Sequence, residues 1–322
     1  MRRILWVVLL ATAGLVRAEE PAVHEGHEGH EGHEAAEAAE EKEAEPILEY
    51  TVDLAFGAAT FDALTPDSTP LAPAFERRSF FISSLILGVE HAFGSLTLGV
   101  RIPVLMGTML ASDTAASSGV TAPLLGNLEV EANYRWALSE HWSLDATLEV
   151  AAPTAMGEEQ PAEGEVLESL DHAAILRGEL LRAAEFSRGS LDSTLFEPAH
   201  VGLIPKLAVE YHAGNFMLRP QVKVETLIST KANAAEPVIL ELVAGIRAGY
   251  TFAHIVEPNL YVWTNLTLTN HAEREVNVVL VEPGVRFFVG KVRPQLSAVV
   301  PVYGRLLTDS AFSVRVGVVG EI

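Results

Sequence analysis

Leu128-Glu129-Val130-Glu131-Ala132-Asn133-Tyr134-Arg135-Trp136 alternates apolar and polar residues without a break. After the short link Ser139-Glu140-His141 the pattern restarts as Trp142-Ser143-Leu144-Asp145-Ala146-Thr147-Leu148-Glu149-Val150. In an extended strand successive side chains point to opposite faces. One face of the first segment therefore carries Leu128, Val130, Ala132, Tyr134 and Trp136, and the other Glu129, Glu131, Asn133 and Arg135. Segments of about ten residues, apolar on one face and charged on the other, are what a membrane β-barrel strand requires. A soluble sandwich alternates too, but in strands of about 5–6 residues, without directing so many carboxylates and guanidiniums at one shared interior.

Working outward from this hairpin, the same alternation places strands near 47–57, 79–91, 95–105, 126–138, 142–153, 201–212, 216–228, 238–252, 259–269, 276–288, 291–302 and 312–322. The second and ninth alternate least cleanly. Twelve is an even number, as a bacterial barrel needs if both termini face the periplasm. Every other link is short: Phe93-Gly94, Ser139-Glu140-His141, Ala213-Gly214-Asn215, the segment around Glu257-Pro258, and Val289-Gly290. The remaining links, 58–78, 106–125, 154–200, 229–237, 270–275 and 303–311, are mostly longer. Short periplasmic turns alternating with longer external loops are the known asymmetry of these barrels. Trp136, Trp142, Tyr211, Phe216, Tyr250 and Phe287 crowd the short-turn ends on the outward face, where an interfacial aromatic girdle belongs. The predicted fold is all-β: an antiparallel up-and-down transmembrane β-barrel of about 12 strands, over 47–322.

The segments before the barrel have other compositions. Arg2 and Arg3, the apolar run Ile4 to Val16 and the small residues of Val16-Arg17-Ala18 read as a signal peptide over 1–18, since a membrane-anchoring helix needs roughly 20 apolar residues. Residues 19–46 form a low-complexity His/Glu-rich stretch with almost no large apolar side chains, expected to be a disordered periplasmic tail. The 322 residues include no cysteine, which excludes a lipoprotein anchor, disulfides, cysteine-based metal sites and thiol catalysis. The net charge of −21 argues against a nucleic-acid partner, which would need clustered Lys and Arg. The mean hydropathy is positive, yet past the signal peptide no run of about 18 uncharged apolar residues remains for a membrane helix.

The last strand, with Phe312, Val314, Val316, Val318 and Ile322 outward and Ser313, Arg315 and Glu321 inward, resembles the C-terminal recognition strand of Gram-negative outer-membrane proteins. It ends on Ile322 where such strands commonly end on an aromatic residue. Gly126-Asn127-Leu128 through Tyr134-Arg135-Trp136, and Ala152-Pro153-Thr154 followed by Gly157, weakly resemble the transporter-like barrels of aromatic-compound (phenol) degradation operons. These matches cover about a tenth of the chain. The resemblance implies residence in the cell outer membrane, with lipid and the outer-membrane assembly machinery as partners.

Four features carry candidate chemistry. His24, His27, His30 and His33 recur at every third position between Glu and Gly, and so can fold around a zinc, copper or nickel ion. The bland alternative is a solvated acidic tail, and no cofactor is required. The inward row comprises Arg101, Glu129, Glu131, Arg135, Asp145, Glu149, Arg219, Lys223, Glu241, Arg247, Glu282, Arg286, Arg293 and Arg315, with Glu49, Asp53, Lys206, Glu210, Glu225 and Glu321 beside them. Charges of both signs either pair as a structural core or line an aqueous path. In loop 154–200, Val166, Leu167, Leu170, Ala174, Leu180, Leu181 and Ala184 recur at three- and four-residue steps, predicting an amphipathic helix that constricts the mouth or caps the rim. Finally, His91, His141, His172, His200, His212, His254 and His271 lack a serine partner at readable spacing, so catalysis is not expected. The expectation is a porin-like channel for passive transport of a small molecule or ion, with a metal-binding tail. Its rivals are a barrel handling metals for resistance or uptake, and a structural barrel without transport.

Overall fold

The computed structural model describes residues 47–64, 75–109, 122–155, 157, 172–231, 237–269 and 277–322. Residues 1–46, with the expected signal peptide and tail, lie outside these. The strands are β1 (Ile47–Leu64), β2 (Phe75–Phe93), β3 (Leu96–Met109), β4 (Ala122–Leu125), β5 (Leu128–Ala137), β6 (Trp142–Ala152), β7 (His200–Ala213), β8 (Phe216–Ser229), β9 (Val238–Tyr250), β10 (Val256–Thr267), β11 (Val278–Phe287), β12 (Val292–Gly304) and β13 (Phe312–Glu321). Among the described residues three helices accompany them: α1 (His172–Ser187), α2 (Ser193–Phe196) and α3 (Arg305–Thr308).

Each strand pairs antiparallel with its chain neighbour, and β1 also pairs with β13, from Glu49 opposite Glu321 to Ala58 opposite Phe312. That pairing closes the sheet and leaves no edge. β4 and β5 both lie against β3, interrupted at Gly126-Asn127, and together make one stave. The closed barrel therefore has twelve strands. Among the described residues no helix is long and apolar enough to cross a membrane; the strands cross instead.

Leu98, Val100, Ile102, Leu148, Leu207, Val314 and Val316 are large apolar side chains left exposed on the outer face, while their polar neighbours turn inward. At the short-turn end outward aromatics pair off: Tyr134 with Trp136 at 4.6 Å, Trp142 with Tyr211 at 4.6 Å, and Tyr250 with Phe252 at 4.7 Å between ring centroids. Gly94, Gly214 and Gly290 hold the tight turns at positive φ, a region hairpin turns need and glycine enters without cost.

β1 and β2 run further than the alternation indicates. Beyond residue 57 the inward positions of β1 are Ala59, Phe61 and Ala63, and those of β2 include Phe80, Ile82 and Ile86, all buried. With apolar residues on both faces the period-two signal vanishes although the strand continues. The cause is the loop between β6 and β7. Its helix α1 enters the lumen and packs on the inner face of β1, β2 and β3, neither capping the rim nor stopping at the mouth. From Gly178 to Ser190 every residue but the half-buried Arg182 is buried, so this stretch is enclosed on nearly all sides, where the sequence pattern predicts one apolar face. Leu180, Leu181, Ala184 and Phe186 join Phe61, Phe80, Ile82, Leu105 and Leu124 in an apolar core inside the long-loop half of the barrel.

Candidate functional site

The lumen is layered. Uppermost, the Phe61 and Phe80 rings stack at 4.6 Å, Phe186 meets Phe61 edge-on at 5.4 Å, and the Arg182 guanidinium lies 5.0 Å from the Phe61 centroid.

Below this core, residues 188–197 cross the lumen as a strap whose anchors come from strands on every side. The Arg188 guanidinium donates to Asp53 Oδ2 on β1 (2.6 Å), Asp192 Oδ2 (2.9 Å) and Ser84 Oγ on β2 (3.3 Å). Trp263 Nε1 on β10 donates to the Gly189 carbonyl at 3.2 Å, and Asn265 Nδ2 to the Ser190 carbonyl at 2.9 Å. Lys223 on β8 donates to the Leu191 carbonyl, and the Ser193 hydroxyl to Glu225, with Glu241 at 3.2 Å. Asn127, in the break between β4 and β5, donates to the carbonyls of Thr194 (2.8 Å) and Glu197 (2.7 Å). A side chain at Gly126 would strike the Leu195 carbonyl, which is why the stave is interrupted there: the strap needs the space. Burial opposes ionisation of Asp192, but Arg188, backed by Arg315, Lys223 and Arg101, outweighs it and holds the carboxyl below the ordinary carboxylate range.

Towards the short-turn end the lumen is lined with charge. Glu129, Glu131 and Glu149 gather with oxygens within 4.8 Å of one another. Arg101 occupies their focus, ion-paired with Glu129 and lying 3.1 Å from Glu149 and 3.5 Å from Glu131. A cation would have to displace that guanidinium. Lys206 reaches Glu149 at 3.6 Å. Arg135 pairs with Glu210 (2.6 Å) and Asp145 (3.8 Å), and Arg219 with Asp145 (3.1 Å) and Glu210 (3.4 Å). Lys223 meets Glu225 at 2.5 Å, Arg286 meets Glu257 at 3.6 Å, and Arg293 bridges Glu49 (2.7 Å) and Glu321 (3.1 Å). Arg315 joins Asp53 and Glu282, the latter at 3.4 Å. Glu241 accepts from Asn265 at 2.9 Å, and Arg247 lies over the Tyr261 ring.

Alternation and these pairings put all fourteen inward-row residues on the interior face. The strap residues Arg188, Asp192 and Ser193, and the wall residues that receive it, Asn127, Trp263 and Asn265, escape the sequence pattern. A single arginine in a long loop has no periodicity to mark it. The only trace is blurred alternation in the ninth predicted strand, where Tyr261 and Trp263 point inward.

Among the described residues the histidines form no common site. His141 and His254 lie at short-turn ends, His200 Nδ1 contacts the Pro198 carbonyl at 2.8 Å, and His212 pairs with Glu210 at 2.9 Å. His24, His27, His30, His33 and His271 lie outside the described residues.

No protein-family model matches the sequence, and no curated protein matches it either. Among solved structures, an outer-membrane channel from Pseudomonas putida F1 superposes with a TM-score of 0.54 at 12% identity, covering 88% of this chain and 98% of that one. The fold is that of a Gram-negative outer-membrane β-barrel. The NanC porin (TM-score 0.46, 9% identity, 84% of this chain and 100% of that one) and a TodX monoaromatic hydrocarbon channel mutant (0.37, 9%, 86% and 89%) are more distant. At these identities the likeness speaks to fold alone.

Proposed function

We propose that this outer-membrane barrel is a channel for passive diffusion of a small solute, with the strap over 188–197 as its constriction and the charged chamber beneath as its selective region. One observation carries this reading. The strap is held across the lumen chiefly by side-chain hydrogen bonds and ion pairs, whereas the wall is held by continuous strand pairing. An element anchored this way can yield while the wall stays closed, because local opening draws on the least cooperatively held contacts. Paired charges of both signs around a polar lumen admit water and hydrated solutes. The fold shared with a bacterial outer-membrane channel is in keeping with this, and no catalytic role is assigned to the lumen. Single-channel recording in planar bilayers, with a panel of ions and of neutral solutes from about 100 to 400 Da, tests the reading. Stepwise conductance that rises when residues 188–192 are replaced by a glycine-serine linker is the expected result. Absence of conductance in both proteins leaves a structural barrel, a rival that the apolar core and strap filling the upper lumen favours.

The N-terminal segment belongs to the same proposal. Residues 19–46 are placed in the periplasm, with His24, His27, His30 and His33 binding zinc, copper or nickel. The support is compositional: imidazoles at three-residue spacing on a glycine-containing chain supply ligands but no apolar surface.

A further inference from the structure

The chamber's cations are almost all answered by carboxylates. Arg219 turns to Asp145 and Glu210, Arg286 to Glu257, and Arg315 to Asp53 and Glu282. Arg247 is different. It is half-buried on the inner face of β9 and forms no ion pair with any described residue. Its contact is the Tyr261 ring, 5.2 Å from the guanidinium carbon to the centroid. In the β8–β9 register Arg219 stands directly opposite Arg247, a like-charge pairing that costs stability unless an anion intervenes. Arg219 escapes through its own carboxylates; among the described residues none lies within ion-pair distance of Arg247, and Glu282 acts on it only from further off.

The support beneath Arg247 is fixed. Tyr261 is buried, its hydroxyl accepts from Gln221 Nε2 at 2.5 Å, and its ring stacks on Trp263 at 4.8 Å. Trp263 in turn donates to the strap at Gly189. With the guanidinium over a buried, hydrogen-bonded ring, its N–H groups remain for a ligand. A planar fork of donors matches a carboxylate in bidentate geometry. The chamber's opposite wall bears three carboxylates, Glu129, Glu131 and Glu149, against two cations, Arg101 and Lys206, so a second negative charge on the ligand would be repelled.

We propose that Arg247 is the specificity-determining residue of the chamber, a resting point for the carboxylate of a small organic monoacid. The proposal deepens the channel reading and rests on it for the passage of that acid, though not for its binding. The test uses the full-length protein in detergent, titrated calorimetrically with sodium propionate and with neutral propionamide, and then the same protein in bilayers. Saturable propionate binding is expected, absent with propionamide. It should weaken about tenfold or more in Arg247→Gln, as expected for losing hydrogen bonds to a charged group, and by less than about threefold in Arg286→Gln, whose cation is already paired. Should Arg247→Gln fail to assemble, Arg247→Lys keeps the charge but loses the fork and the ring contact, and must still weaken binding several-fold. Equal affinity in Arg247 variants and wild type, equal binding of propionamide, or no saturable binding overturns the proposal. Arg247-dependent binding without bilayer conductance keeps the site and removes the channel. Conductance with Arg247-independent binding does the reverse.

Discussion

Replacing Arg188 by methionine keeps most of the side-chain stem and deletes the guanidinium that ties the strap to the wall. The head group is wholly buried and holds three partners, Asp53 at 2.6 Å, Asp192 at 2.9 Å and Ser84 at 3.3 Å. Removing one member of a buried ion pair costs about 3–5 kcal/mol, because the charge left behind is stranded. Here Asp53 retains Arg315, so the stranded charge is chiefly Asp192 and the lower end, about 3 kcal/mol, applies. At about 1.4 kcal/mol per factor of ten, the equilibrium for strap release should rise roughly a hundredfold. The loss should fall on the strap and not on the barrel, since the pairing of β1 with β2 and β13 does not pass through Arg188. Hydrogen exchange read by mass spectrometry separates the two. Peptides covering Gly189 and Ser190, whose amides donate to Phe186 and Glu185, should lose about two orders of magnitude of protection, while peptides from β8 and β9 keep theirs. If the strap peptides exchange as in wild type and the urea midpoint of the whole barrel falls instead, Arg188 is a staple of the fold and the strap is not separable from it.

Four further outcomes are expected. Gly189→Ala should destabilise by about 1–3 kcal/mol in a urea titration, because Gly189 sits at φ 73° and an added Cβ would lie 2.6 Å from Leu280, 2.8 Å from Trp263 and 3.0 Å from Val299. Ala132 faces lipid between Leu98 and Leu148, five residues from the end of β5. At about 3.4 Å per residue and a tilt of about 40° it lies roughly 13 Å from that end, near mid-membrane. Ala132→Arg should therefore cost roughly 2–4 kcal/mol, and Asn133→Arg, on the lumen face, clearly less; equal costs in a folding titration would reverse the inside–outside assignment. Because the folded pKa of Asp192 is depressed, its stabilisation of the strap is complete above the unfolded value near 3.9 and is lost as pH falls below that. Strap exchange should accelerate below about pH 4 in wild type, and by less in Asp192→Asn, where only the Asp53 anchor of Arg188 remains to be protonated. Calorimetry on the full-length protein should detect zinc, copper or nickel binding that weakens as pH falls through about 6.5 and disappears when His24, His27, His30 and His33 are changed to alanine; unchanged affinity would remove the histidines from that role.

What was legible in the sequence, and what was not, follows from one distinction. Period-two alternation reports the contrast between the two faces of a strand, so it is sharp wherever lipid lies on one side and water or charge on the other. β5, β6 and β13 meet that condition along their length, and their register, facing and girdle positions all follow from pattern alone. The contrast fails where the inside of the barrel is itself apolar. Phe61, Phe80 and Ile82 are as apolar as the lipid-facing Phe56 and Phe81, so alternation alone does not mark the upper ends of β1 and β2 as strand. Tyr261 and Trp263 blurred β10 for the same reason. Loss of alternation inside an otherwise regular barrel is thus a signal in its own right: it marks the stretch of wall against which the chain has folded something back into the lumen. Read that way, β1, β2 and β10 outline the footprint of α1 and the strap. The polar anchors stay invisible, because Arg188, Asn127 and Asn265 are single residues whose wall and strap partners, the local Asp192 aside, lie from 24 to 135 positions away, and only closure of the barrel brings them together.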